Sequence, residues 1–289
     1  MKRLALHLGL FAAACVTTTA VGGPVYAATL LGILLTHEMG HYVVARRHGI
    51  DVSLPYFIPV PFALGTMGAV IRMRSPIPTR DALIDVGAAG PLAGLAVAVP
   101  LLVWGLAESP VTPIPPGGAI EGNSLGYLVC KLLVKGRVLP GDGLDVQLSP
   151  MAMAAWVGLL VTFINLIPLA QLDGGHIAAA YFGDRHERQA RVLHPALGAV
   201  GLVVGTILYF DARAAGRAPL GAAAYALAGA VPWGVWLLLV ALMRRTTGGR
   251  YHPPVGDAPL SPRRRVLFWV MAALFVLLFT PVPMREVLP

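Results

Sequence analysis

His37-Glu38-Met39-Gly40-His41 gathers two imidazoles and a carboxylic acid into one short stretch. On an α-helix, residues four apart lie one above the other, so His37 and His41 share a face and can hold one Zn²⁺ between them. Glu38 stands beside that face and can take the proton of a water on the metal. The chain has only 8 His in 289 residues and 14 Asp plus Glu, which makes chance a poor explanation of the pattern. Apolar residues precede the motif from 27 to 35 and follow it from 42 to 45. A soluble metalloenzyme would hold this helix in a water-filled cleft, whereas here it reads as part of a membrane span. Ionisable side chains at membrane depth cost about 2.5–3.5 kcal/mol each on insertion scales and mark function, so a purely structural role is unattractive.

Two histidines and a carboxylate, with one position left for water, form a common catalytic zinc pattern. The missing carboxylate is sought in residues 151–181, an apolar run interrupted by Asn165, Pro168, Gln171, Asp173, Gly174, Gly175 and His176. Pro168 has no N–H to donate and the glycine pair loosens the backbone, so this span is expected to be broken. Asp173 is the candidate third ligand. Asn165 can donate its amide to a developing oxyanion. His176 has three readings that the sequence leaves open: a partner of a ligand, a substrate contact, or a packed helix residue. Direct ligation by His176 is disfavoured, because three protein ligands already leave the position that water needs.

The elements that must carry these residues are apolar. The chain is 56% hydrophobic and 12% charged, with mean hydropathy +0.72. Soluble domains average about 25% charged, so a polytopic membrane protein is the natural class. The net charge of +8 resides in Arg clusters at the ends of apolar runs and is not interleaved with aromatics, which argues against nucleic-acid binding. Cys15 and Cys130 have no metal-like spacing and suggest neither a zinc ribbon nor a disulfide framework.

About seven spans are expected. The first, 4–21, reads as a retained helix rather than a cleaved signal peptide, and Gly22-Gly23-Pro24 makes the turn. The metal helix runs over 25–45 and is closed by Arg46, Arg47 and Gly49. Residues 51–80 contain five prolines and cannot form a long helix, while Gly65 to Arg74 reads as a short strand entered through glycines. Non-helical backbone at membrane depth survives only where protein or water satisfies it, so a re-entrant hairpin beside the metal helix fits, with an ordinary interfacial loop as the alternative. A third span, 81–107, carries Gly87, Gly90, Pro91 and Gly94, small residues that let helices approach closely. Asp85 near its start reads as an interfacial carboxylate. Residues 108–150 form the longest polar connection, with a surface helix near 123–134. The broken span 151–181 follows, and additional helices occupy 192–284, near 194–210, 219–243 and 266–282. The whole chain, 1–289, reads as one integral-membrane domain with its catalytic core in 25–181.

Lys and Arg placement puts the N-terminus inside, with Arg46, Arg47, Arg72, Arg74 and Arg80 in cytoplasmic loops. The His37–His41 motif and Asp173 then both fall toward the cytoplasmic ends of their spans and can meet at one depth.

His37-Glu38-Met39-Gly40-His41, together with Asn165-x-x-Pro168-x-x-x-Leu172-Asp173-Gly174, resembles the paired signatures of the site-2 protease family of intramembrane zinc metalloproteases. Gly65-Thr66-Met67-Gly68 and Gly90-Pro91-Leu92-Ala93-Gly94 are similar to the bacterial and chloroplast branch that lacks a PDZ domain. The resemblance covers roughly residues 30–180. It implies an all-α polytopic membrane fold with a three-helix core and a re-entrant β-like loop. It also implies one Zn²⁺ held by His37, His41 and Asp173, Glu38 as general base and acid, and Asn165 on the reacting carbonyl. Gly65, Thr66, Met67 and Gly68 would then lie where an unwound substrate strand pairs. The implied substrates are membrane-embedded segments such as those of anti-sigma factors or membrane-held transcription factors. The implied location is a bacterial inner membrane, with the active site toward the cytoplasm. Two rival readings use the same residues: a cleavage-dead adaptor, against which the intact Glu38 and Asp173 argue, and a metal transporter, for which the later spans offer few polar residues.

Overall fold

The glycine and proline at 23–24 set the course of the first element. The computed structural model, which describes residues 2–115, 117–256 and 258–288, has one helical element, α1 (Lys2–Arg47), whose backbone leaves the helical region only at Gly23 (φ 80°, ψ 174°). Glycine tolerates that conformation, and Pro24 has no N–H to continue the ladder. The two halves of α1 correspond to the first two expected spans. Both pack on one hairpin, formed by β1 (Tyr56–Pro59) and β2 (Thr66–Val70). His7 Nδ1 donates to the Pro55 carbonyl at 3.0 Å, Thr17 Oγ1 donates to the Gly65 carbonyl at 2.6 Å and Tyr26 donates to the Leu64 carbonyl at 3.4 Å. The strands are antiparallel, with Tyr56 opposite Val70 and Phe57 opposite Ala69, and a bulge precedes the Pro59–Thr66 pair.

α2 (Arg80–Glu108) is the central helix. Thr79 caps its start by accepting from the Ala82 N–H at 3.0 Å. It packs against α1 and against α4 (Pro150–Asn165) and α5 (Asp173–Phe182), the two halves of the span expected to be broken. Small residues on the facing helices set the spacing. A Cβ on Gly40 would stand 2.5 Å from the Ala89 carbonyl, and one on Gly105 would stand 2.5 Å from the Ala152 amide. The break covers 166–172, where Gly174 and Gly175 lie against the carbonyls of Leu166 and Ala170 and leave no room for side chains.

The remaining helices are α3 (Leu125–Lys135), α6 (Arg185–Ala214), α7 (Pro219–Thr246) and α8 (Pro262–Leu278). α6 and α7 pair along their length. Among the described residues, α1, α2, α6 and α7 are long and apolar enough to cross a membrane, and α4 is a shorter apolar helix.

The all-α expectation needs correction. Besides the β1–β2 hairpin there are two more antiparallel pairs: β3 (Val111–Pro113) with β5 (Leu144–Val146), and β4 (Ala119–Glu121) with β6 (Met284–Glu286). Three-residue strands carry too little alternation to be read from a sequence, and the β4–β6 pair joins distant segments.

The expected surface helix within 108–150 is α3, capped by Ser124 and by Gly136 at φ 71°. Its inner face holds a fully buried Lys131, whose ammonium lies 3.0 Å from Glu121 and 2.9 Å from Asp145. Tyr127 donates to Glu121 at 2.8 Å, and burial together with that carboxylate pushes its phenol well above the usual range. Both cysteines are free.

Candidate metal centre

Helical spacing places His37 and His41 on one face of α1, and the opening turn of α5 brings Asp173 to them from 136 positions away. His37 Nε2 lies 3.2 Å from Asp173 Oδ2, His41 Nε2 lies 3.3 Å from Asp173 Oδ1, and the two Nε2 atoms are 3.1 Å apart. All three side chains are largely buried.

These separations suit a shared ion. Zn–N and Zn–O distances of about 2.0–2.1 Å in a tetrahedron put neighbouring ligand atoms about 3.3 Å apart. The donor set suits it too. The Val86 carbonyl can only accept, so His41 Nδ1, 2.7 Å from it, carries the proton and Nε2 presents a lone pair. A second imidazole nitrogen and a carboxylate converge on that lone pair, and a cation resolves their mutual repulsion. His37, His41 and Asp173 would hold the ion. When bound, zinc supplies Lewis acidity to a carbonyl and lowers the pKa of water to about 7.

α2 makes the centre possible by having no side chains there. A Cβ on Gly90 would overlap the His41 imidazole, and one on Gly94 would stand 3.2 Å from His37 Cβ. Toward α5, a Cβ on Gly87 would stand 3.2 Å from both the Asp173 carbonyl and His176 Cβ. The central helix thus touches both helices that carry the cluster through glycines spaced along one face.

Glu38 is buried beside His41 and Asp173, with the Ile71 backbone against its carboxyl group. Asn165 is the half-buried last residue of α4, just before the break. Thr66 opens β2, and its hydroxyl bridges the Ile58 and Gly68 carbonyls at 3.0 and 3.2 Å. Gly65 and Gly68 take positive φ (81° and 99°), and Met67 is 70% exposed. Asp85 stays out of the cluster. It accepts from Arg264 at 2.6 Å and lies 2.9 Å from His48, tying the ends of α1, α2 and α8 together as an interfacial carboxylate would.

Among the described residues, the metal-type cluster consists of His37, His41 and Asp173. His176 has a different partner: its Nδ1 is 2.7 Å from His252 Nε2, and His252 Nδ1 is 2.7 Å from the Pro253 carbonyl. The carbonyl fixes the order of donors, with His252 donating to Pro253 and His176 donating to His252. Burial lowers the His252 pKa below its ordinary value and favours this neutral arrangement. Sequence reasoning missed His252, which lies in a polar loop with no motif around it. It also missed Val86, whose contribution is a backbone carbonyl and leaves no side-chain signal.

Two imidazoles and a carboxylate around one point, with a further carboxyl group alongside and set among apolar helices, define a membrane-embedded metallohydrolase-type site. The chain belongs to a known class of this kind, peptidase family M50, whose model matches residues 25–208. The chain is 35% identical over 166 residues to "Probable zinc metalloprotease EGY2, chloroplastic" of Arabidopsis thaliana, covering 56% of this chain and 29% of that protein. It is 31% identical over 217 residues to "Probable zinc metalloprotease EGY1, chloroplastic" of the same plant, covering 73% and 35%. It is 28% identical over 273 residues to "Probable zinc metalloprotease EGY3, chloroplastic" of Oryza sativa subsp. indica, covering 80% and 44%. The chain therefore spans less than half the length of these relatives. No solved structure gives a significant match.

Proposed function

We propose that the chain is an intramembrane zinc metalloendopeptidase that hydrolyses peptide bonds in or near transmembrane segments of other proteins. The observation that carries this reading is the convergence of His37, His41 and Asp173 within 4.8 Å, beside Glu38 and inside apolar helices. In this reading 1–289 is one integral-membrane unit crossing about seven times. Its core is 25–181, 192–284 are additional helices, and the site lies toward the cytoplasmic side of a bacterial inner membrane. The excess of arginine in the loops flanking α1 and α2 supports that orientation.

Glu38 takes a proton from the attacking water and later delivers it to the leaving amine, a transfer worth about 10²–10⁴-fold in rate. Asn165 donates its amide to the oxygen of the scissile carbonyl as charge builds there. A helical substrate hides its carbonyls in i→i−4 hydrogen bonds, so it must unwind before attack. Residues Gly65 to Gly68 hold the unwound strand by backbone pairing, as strand addition to a sheet edge does elsewhere. Substrates of this chemistry include membrane-held anti-sigma and transcription factors.

The test is co-expression of a single-span substrate with wild type and Glu38→Gln. Expected is retained zinc with cleavage lost; equal cleavage by the variant would refute the assignment.

A further inference from the structure

The support behind the side chains of the metal centre is uneven. His41 has the Val86 carbonyl at its Nδ1. Asp173 has no equivalent: among the described residues its carboxylate meets the two histidines and no other hydrogen-bond donor. Ligating carboxylates are usually held by a further hydrogen bond. The place of Asp173 is therefore set by the backbone turn that carries it, and that turn is weak by composition. It opens α5 without a side-chain cap at Leu172, and Gly174 and Gly175, both poor helix formers, follow at once. The turn closes at His176, whose N–H donates to the Leu172 carbonyl at 3.0 Å. The His176 side chain reaches out of it, with Nδ1 2.7 Å from His252 Nε2.

We propose that His252 is a positioning residue for the metal centre: through His176 it fixes the first turn of α5, and with it the place of the Asp173 carboxylate. An anchor must itself be fixed, and this one is. His252 is buried, and its own Nδ1 is satisfied by the Pro253 carbonyl. The neighbouring Tyr251 donates its N–H to Glu187 and its hydroxyl to His194, each at 3.0 Å, which ties the segment to α6. Further along, the Ser261 N–H donates to Asp81 at 2.9 Å, and Arg264 donates to Asp81 and Asp85, which ties it to α2. The bond from His252 to His176 therefore holds α5 against the helices on either side of it. Residues 247–265 lie beyond the stretch 25–208 that matches the family model, so this support comes from outside the matched core. The inference rests on the metal-centre reading and not on hydrolysis.

The test measures zinc affinity and the cobalt absorption spectrum of the full chain, purified in detergent. It compares wild type with His252→Leu, His252→Gln, Tyr251→Phe and Asp173→Ala. Leucine removes the acceptor that His176 needs, and glutamine restores one with its carboxamide oxygen. Tyr251→Phe loosens the same segment from α6 but leaves His252 in place. His252→Leu is expected to lose about three- to tenfold in zinc affinity, less than the loss for a group bonded directly to a ligand, because it acts one residue further out. Its cobalt form should show weaker d–d absorption, as water enters beside a displaced Asp173 and raises the coordination number. His252→Gln should recover most of both signals, and Tyr251→Phe should keep both. His176→Phe breaks the same bond from the other side, should show the same loss, and serves where leucine at 252 prevents folding. Wild-type affinity and spectrum in His252→Leu, with Asp173→Ala reduced, would overturn the proposal and leave the metal centre standing. So would equal losses in His252→Leu and Tyr251→Phe, the mark of a general loss of stability. A wild type that binds no zinc would remove the metal-centre reading and the proposal with it.

Discussion

Gly90 of α2 lies face to face with the His41 imidazole, so close that a Cβ built on it overlaps Nε2. The central helix therefore contributes to the metal centre by what it lacks. Gly90→Ala must displace either the ring or the helix. Moving the His41 ring would also strain its hydrogen bond to the Val86 carbonyl, and losing such a support typically costs about 10–100-fold in metal affinity, which is the loss expected here. Gly94→Ala, whose Cβ would sit 3.2 Å from His37 Cβ, should give a smaller loss. Zinc titration of both purified variants against a competing chelator checks the order.

Thr66 locks the β1–β2 hairpin through one hydroxyl that donates toward Ile58 and Gly68 and accepts the Gly68 N–H at 3.1 Å. Thr66→Val keeps the shape and removes the oxygen. If the hairpin holds an extended substrate, cleavage should fall several-fold with zinc content unchanged. Parallel measurement of substrate cleavage and metal content separates this from a loss of the metal centre.

Lys131 is buried between Glu121 and Asp145. Lys131→Met leaves both carboxylates facing each other without a cation, a change that typically costs about 3–5 kcal/mol. Lys135→Met, at the end of the same helix, removes a hydrogen bond to the Ser109 carbonyl and should cost about 1 kcal/mol. Thermal unfolding followed by tryptophan fluorescence should rank the two in that order.

The loop 247–261 is held to α5 by His252 in its neutral form. Burial depresses the His252 pKa below 6.5, so this contribution is complete above pH 6.5 and is lost as pH falls through the lowered folded value. Tryptic cleavage at Arg250 should therefore rise between pH 7.5 and pH 5, after correction for the pH dependence of the protease itself. His252→Asn should flatten that rise.

Much of the site was legible because membrane helices are intolerant of charge. His37, Glu38 and His41 stood out by spacing, and Asp173 by being a carboxylate in a proline-broken apolar run. The break itself followed from Pro168 and the Gly174-Gly175 pair, and α4 and α5 end and begin on either side of it. The strand at Thr66–Val70 was legible from its glycines, but its partner Tyr56–Pro59 was not, because prolines around it mask any alternation. The β4–β6 pairing, the His252 contact and the Val86 carbonyl depend on long-range packing or backbone atoms, which leave no local pattern. The turn at Gly23 was read correctly, yet nothing in the residues announced that both halves of α1 would pack on one hairpin.

The account rests on an ion shared between α1 and α5. X-ray absorption at the zinc edge, with zinc content per chain, tests this most directly in wild type and Asp173→Ala. The expected result is one zinc per chain in a shell of nitrogen and oxygen, including two imidazoles, with affinity falling at least about tenfold when Asp173 is removed. Full zinc content and an unchanged spectrum in Asp173→Ala would contradict it.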